Sequence, residues 1–194
     1  GQVNEIHSIF FYNVAMSLKT RVKVGNITNL SDARYCAGMG VDMLGYTVIP
    51  DRQGFIAAPL YQEIRGWISG PSAVAELYGI SEVTDLDKVM EEYRPDYLEI
   101  PASALPLVAS RPGPRLIVAV EDTDDLEALG PWMERITFIQ LKDDTIIPSL
   151  PEHLQVFLFL PPGTPLETIS FAPPLQGIAL TGTDEIRPGY KDYD

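Results

Sequence analysis

Cysteine and histidine, the commonest nucleophile and proton shuttle of enzyme sites, are scarce in this 194-residue chain. Cys36 is the only cysteine, and His7 and His153 are the only histidines. So small a set speaks against a histidine-rich metal site, a Ser-His-Asp triad and an intrachain disulfide. Neither a metal nor a cofactor is expected. What remains is a group of charges in apolar company. Lys23 stands in "RVKVG", Glu76 in "AVAELYG" and Glu99 in "YLEIP", each inside a short apolar run. A buried charge without a partner is too costly to expect. If Glu99 points inward, its predicted partner is Lys23, which is expected to make an inward ion pair with Glu99 or Glu76. Two readings of these acids stay open: a structural ion pair or strand-end carboxylate, and an acid or base placed for proton transfer.

The apolar runs that must position these groups read as eight short strands, over residues 22–25, 43–48, 73–78, 97–101, 116–121, 136–141, 156–160 and 178–181. Helical patterns lie between several of them. In "NLSDARYCAGMG", Asn29 is the predicted N-cap, with Asp32 three residues on as in a capping box. Leu30, Ala33, Cys36, Ala37 and Gly40 then share one face, which makes Cys36 a small packed group rather than a reactive thiol. In "EVTDLDKVMEEYR", Val83, Leu86, Val89 and Met90 recur on one face with acids opposite. Short strands alternating with helices predict a parallel sheet. Eight of them predict closure into a (β/α)8 TIM barrel.

The C-terminal half is irregular, and its helices are expected to be shortened or missing. "DDTIIPSLPEHLQ" is too short and proline-broken for a full sixth helix, and "PPGTPLETISFAPPLQG" allows about two turns for the seventh. After the last strand only "GTDEIRPGYKDYD" remains, without room for a standard eighth helix. Apolar strand faces left open need cover. Residues 1–19 are read as an N-terminal extension ahead of a single barrel domain over 20–194. In that extension Ile6, Ile9, Phe10 and Val14 fall at helical spacing. They are expected to cover apolar surface, either on the same barrel or on a second copy in a homodimer.

Composition bounds the partners. A net charge of −13 with no basic stripe argues against nucleic acid. No apolar run reaches membrane-spanning length, and the opening residues lack the basic region of a secretory signal. With a single cysteine this predicts a soluble protein of a reducing cytoplasm.

"RVKVGNITNLSDARYCAGMGVDMLGY" resembles the opening of phosphoribosylanthranilate isomerase, whose members read V-K-I-C-G-I-T, a Leu/Asp/Ala helix, then G-A-D-A-L-G-F. Val22, Lys23, Val24, Ile27, Thr28, Asp32, Ala33, Gly40, Asp42, Leu44 and Gly45 carry the match. "GIALTGTDEIRPGYKD" resembles the family's closing motif through Gly177, Glu185, Pro188, Gly189, Lys191 and Asp192. The resemblance implies an Amadori rearrangement of a phosphoribosyl aminal in tryptophan biosynthesis. That reaction needs an acid at the ring oxygen, a base at the sugar C2 proton and a phosphate cradle.

Carried over residue by residue, the resemblance implies a changed site. The family's Cys-Gly falls on Gly25-Asn26, so the thiol base is absent. The acid position falls near "QLKDD", on Lys142 or, with a one-residue slip, on Asp143. The Arg that holds the anthranilate carboxylate falls on Gly54, and Arg52 two residues earlier has the planar fork to replace it. The Ser-Gly-Gly of the phosphate cradle falls on Leu160-Pro161-Pro162, and proline has no N–H to donate. Thr181-Gly182-Thr183 still forms a small-residue loop suited to phosphate or sulfate. Where the family has an apolar residue and a Gln, this chain has Glu76 and Glu99. The implied protein is isomerase-like with degraded or lost activity, binding a small phosphorylated sugar or an anthranilate-like ligand. Two alternatives are an active isomerase using displaced groups such as Glu99, Glu121, Asp143 or Asp144, and a non-catalytic scaffold contacting other tryptophan-pathway enzymes.

Overall fold

In the computed structural model, eight parallel strands close into a barrel in sequence order, and the last pairs with the first. The structure describes residues 20–161, 164, 169 and 173–182. The N-terminal extension, the closing motif from Glu185 onward and most of the seventh connection lie outside the described residues.

The strands are β1 (Arg21–Gly25), β2 (Met43–Thr47), β3 (Ser72–Glu76), β4 (Tyr97–Pro101), β5 (Arg115–Val120), β6 (Ile136–Leu141), β7 (Val156–Phe159) and β8 (Leu175–Thr181). Every expected strand is present, β4 and β6 with the expected ends. Two differ more: β3 stops at Glu76, two residues early, and β8 starts three residues early, at Leu175. Strand residues alternate between two apolar environments, which is why the runs are nearly continuously hydrophobic. Val22, Val24, Leu44, Tyr46, Ala73, Ala75, Leu98 and Ile100 belong to the larger core, shared with the helices. Met43, Val74, Ile117, Phe138, Phe157 and Ala179 form a second cluster inside the barrel. There the rings of Phe138 and Phe157 stack at 4.7 Å, and a side chain at Gly177 would collide with Phe157.

The outer layer is uneven. Helices α1 (Leu30–Gly38), α2 (Ala58–Trp67) and α3 (Val83–Glu92) have 9, 10 and 10 residues. Helices α4 (Leu105–Ala109) and α5 (Thr123–Glu127) have five each, and the sixth connection carries only a 3-10 turn, Asp144–Ser149, with Pro148 inside it. The Asn29 side chain caps α1, accepting the Asp32 N–H at 2.8 Å. Ala33 and Cys36 are buried beneath it. Gly40, expected on the same face, lies past the helix end in a left-handed turn and is exposed. In α3, Leu86 and Val89 are buried as the spacing predicts.

At the strand N-termini two aspartates tie neighbouring strands together. Asp42, just before β2, accepts the Val22 N–H of β1 at 2.8 Å. Asp96, just before β4, accepts the Ala73 N–H of β3 at 2.7 Å and pairs with Arg65 of α2 at 3.1 Å. The opposite, C-terminal ends of the strands are thereby left for the polar residues. Among the described residues no helix is long and apolar enough to cross a membrane.

Candidate acid–base site at the barrel mouth

The C-terminal ends of the strands surround a cavity of about 300 Å³. Its floor holds three buried charges: Lys23 from β1, Glu76 from β3 and Glu99 from β4, with 2%, 8% and 1% of their surface exposed. Lys23 Nζ lies 2.5 Å from Glu99 Oε1 and 3.8 Å from Glu76 Oε2. Glu99 Oε2 accepts the Tyr78 hydroxyl at 2.6 Å, and Glu76 Oε1 accepts the Asn26 backbone N–H at 2.7 Å. The expected inward ion pair of Lys23 is present, and it engages both acids.

Glu76 owes its place to two missing side chains. A Cβ at Gly25 would lie 2.7 Å from Glu76 Oε2, and a Cβ at Gly45 would lie 2.9 Å from Glu76 Cδ. The carboxylate therefore fills the space into which residues 25 and 45 would project. Asn26 turns its N–H toward it from a left-handed backbone with φ of 56°, a conformation Asn tolerates better than most residues.

The electrostatics follow from this packing. Burial, then the nearby Glu99 charge, pushes the Glu76 carboxyl up to about 7, against the opposing pull of Lys23 and the Asn26 N–H. Burial works against the Lys23 charge, but Glu99 and Glu76 outweigh it and the net shift is upward. Burial and Glu99 push Tyr78 upward, so it remains a phenol and a donor. The Cys36 thiol, under α1, is pushed up to about 12 by burial and then by Asp32, which leaves it protonated and inert.

The cavity gathers some of the residues singled out in the sequence and not others. Gly25, Arg52, Glu99, Glu121, Lys142 and Thr181 all line it. Lys142 projects from the end of β6 with most of its side chain exposed, 4.0 Å from Glu121 and over the Phe159 ring. Asp143 and Asp144 are not among the lining residues. Asp143 instead caps the following turn, accepting the Thr145 N–H at 2.9 Å and its hydroxyl at 2.6 Å; these bonds hold its carboxyl below the usual range. The Gly182 N–H donates to the Gly25 carbonyl at 2.5 Å and so is already engaged. Thr183 and Pro162 lie outside the described residues, while Pro161 is exposed. Gly54 is in a left-handed turn with the Asn26 side chain where its Cβ would be.

Sequence reasoning missed Asn26, Tyr78 and Gln140 as parts of the site. Tyr78 lies just past the end of β3, and its hydroxyl reaches across to Glu99 of β4. Gln140 is 8% exposed and its Oε1 has no hydrogen-bond partner. Among the described residues no cluster of His, Cys, Asp and Glu is arranged to hold a metal ion.

No protein-family model matches this chain, and no curated protein matches it in sequence. Solved structures do resemble it. A phosphoribosyl anthranilate isomerase from Thermotoga maritima is 20% identical, with a TM-score of 0.68 over 89% of this chain and 93% of that one. A phosphoribosyl anthranilate isomerase in complex with reduced 1-(o-carboxyphenylamino)-1-deoxyribulose 5-phosphate is 22% identical, with a TM-score of 0.68 over 89% and 92%. The isomerase from Thermus thermophilus is 19% identical, with a TM-score of 0.67 over the same shares. At such identities the likeness establishes the fold: a (β/α)8 barrel of the kind those isomerases have.

Proposed function

We propose that this chain is a divergent member of the phosphoribosylanthranilate isomerase family. In this reading its barrel mouth binds a small phosphorylated-sugar or anthranilate-like ligand but does not run the Amadori rearrangement through the family's thiol base and carboxylic acid. The family reading is supported by the fold likeness together with the two end motifs of the sequence. The loss of the thiol route is carried by one observation: the space a side chain at position 25 would enter holds the Glu76 carboxylate. Beyond that, the acid position falls on Lys142, an exposed ammonium, or on Asp143, which faces its own turn. Arg52 and Lys142 at the rim supply positive charge for an anionic ligand.

The test is turnover of N-(5′-phosphoribosyl)anthranilate by pure protein. Acid and base groups contribute about 10²–10⁴-fold each, so turnover should fall at least about 10⁴-fold below a competent isomerase. Near-normal turnover would overturn the proposal. Restoring Gly25→Cys alone is expected not to rescue activity, because the thiol would meet the carboxylate and the acid would still be missing.

A scaffold role is the second reading. The observation favouring it is Trp67, 67% exposed at the end of α2, together with a mainly apolar groove between α2 and α3 lined by Ile49, Phe55, Pro59 and Val89. It would be preferred if no phosphosugar bound and a Trp67→Glu variant lost association with a tryptophan-pathway enzyme.

A further inference from the structure

Three features of the mouth bear on what a bound ligand would meet there. The Glu76 carboxylate is held at the cavity, in space that only glycine at positions 25 and 45 leaves open. It has a fixed partner on Oε1, the Asn26 N–H at 2.7 Å, while Oε2 has only the ammonium of Lys23 at 3.8 Å, beyond hydrogen-bond distance. Three strands round the barrel, Gln140 of β6 is more than nine-tenths buried and lines the same cavity with Oε1 unpartnered. A buried polar atom left without a partner is expensive, and a ligand hydroxyl is the group that would satisfy it.

We propose that Glu76 is a catalytic base and acid at this mouth, moving a proton to and from the carbon next to the carbonyl of a small hydroxylated, anionic ketone or aldehyde. The step balances within the site. Glu76 Oε2 takes the α-proton, the C–H pair becomes the C=C bond of an enediolate, and the carbonyl π pair moves to oxygen. Lys23, beside Glu76, offsets the developing negative charge. The protonated carboxyl then returns its proton to carbon, so no oxidant or second reactant is consumed. Gln140 Oε1 accepts a ligand hydroxyl, and Arg52 and Lys142 at the rim meet the anionic end.

The groups that face Glu76 are Lys23 from β1, Glu99 from β4, Tyr78 from the loop after β3, and Asn26 through its backbone. Arg52, Glu121 and Lys142 stand around the same cavity. Burial and Glu99 hold the Glu76 carboxyl near neutrality, where one group serves as both acceptor and donor of a proton. This inference rests on the reading that the mouth takes phosphosugars, and it differs from the Amadori reaction in needing no ring-opening acid.

The experiment uses ribulose 5-phosphate as probe. Its dissociation constant is measured by calorimetry, and exchange of its carbon-bound hydrogens in D2O is followed by NMR with the full chain. Wild-type protein should bind the probe and exchange a hydrogen next to the carbonyl, with a rate that rises with pH as one group ionises near 7. Glu76→Gln, which keeps an acceptor for the Asn26 N–H, should bind within about threefold and exchange about 10²-fold or more slowly, with the pH rise gone. Glu76→Asp should exchange slowly but keep a pH rise. Bound probe that does not exchange with wild type, or exchanges equally with Glu76→Gln, would overturn the proposal and leave the ligand reading standing. Absence of binding would overturn both.

Discussion

At position 76 a carboxylate is stabilised as much by what its neighbours lack as by what they offer. Gly25 and Gly45 leave the space, while Asn26 and Lys23 supply the contacts. A double-mutant cycle separates these contributions. Gly25→Ala forces the added methyl against Glu76 Oε2 and should cost about 1–3 kcal/mol. Most of that cost should vanish in a Glu76→Ala background, giving an interaction of about 1–2 kcal/mol in urea unfolding. Gly45→Ala should stay costly in the same background, because its Cβ would also meet the Gly25 Cα at 3.1 Å. Equal costs of Gly25→Ala in both backgrounds would refute the arrangement. The raised Glu76 pKa also has a sign. Its folded value exceeds the unfolded one, so its contribution to stability is complete below the ordinary carboxylate pKa and is lost as pH rises through about 7. Between pH 5.5 and 8 the wild type should lose about 2 kcal/mol relative to Glu76→Gln, read from the difference in their urea midpoints.

At the scale of elements, the ties beneath the strands join neighbouring elements while the ends above gather the candidate site. Asp96 accepts the Ala73 N–H and holds Arg65, joining β3, β4 and α2. Asp96→Ala should cost about 1–3 kcal/mol by leaving that strand N–H without its acceptor, with no effect on ligand affinity. A loss of ligand affinity at unchanged stability would contradict this division. The strands were legible because each is an apolar run bounded by turn residues. Their ends were less so. Leu77 and Tyr78 look strand-like, yet β3 ends at Glu76, and Leu77 already bonds back to the Glu99 carbonyl from the loop. The Lys23 partnership was legible for a physical reason, since an inward lysine demands an acid. The geometry of Glu76 was not, because it depends on residues 25, 45 and 76 from three strands meeting at one point. Asp143 illustrates the converse: its sequence position suggested the mouth, but a residue two places on took its carboxylate.

At the scale of the molecule, the described outer elements are long in the first three connections of the barrel and short in the fourth, fifth and sixth. The 3-10 turn of the sixth connection was visible as a proline-broken, short segment, whereas the five-residue α4 and α5 carried no signal that was used. The apolar stripe of residues 6, 9, 10 and 14 is the part of the sequence suited to supply cover. A chain beginning at Met16 is expected to melt lower or to change its oligomeric state, measured by calorimetry and sedimentation; no change in either would remove that role from the segment. The whole chain also carries 27 acidic against 14 basic side chains. Its self-repulsion should ease in salt, so the melting temperature is expected to rise between low and moderate ionic strength.

The 2.7 Å approach at Gly25 also constrains the order in which this sequence can change. A mutation that places a side chain at 25 arrives in a space already taken, and selection meets a less stable protein first. A change at 76 to a shorter residue arrives in a space that two glycines leave open. The accessible route to a side chain at 25 therefore runs through loss of the acid first. In any set of close relatives, a side chain at the first position should appear only alongside a short residue at the second.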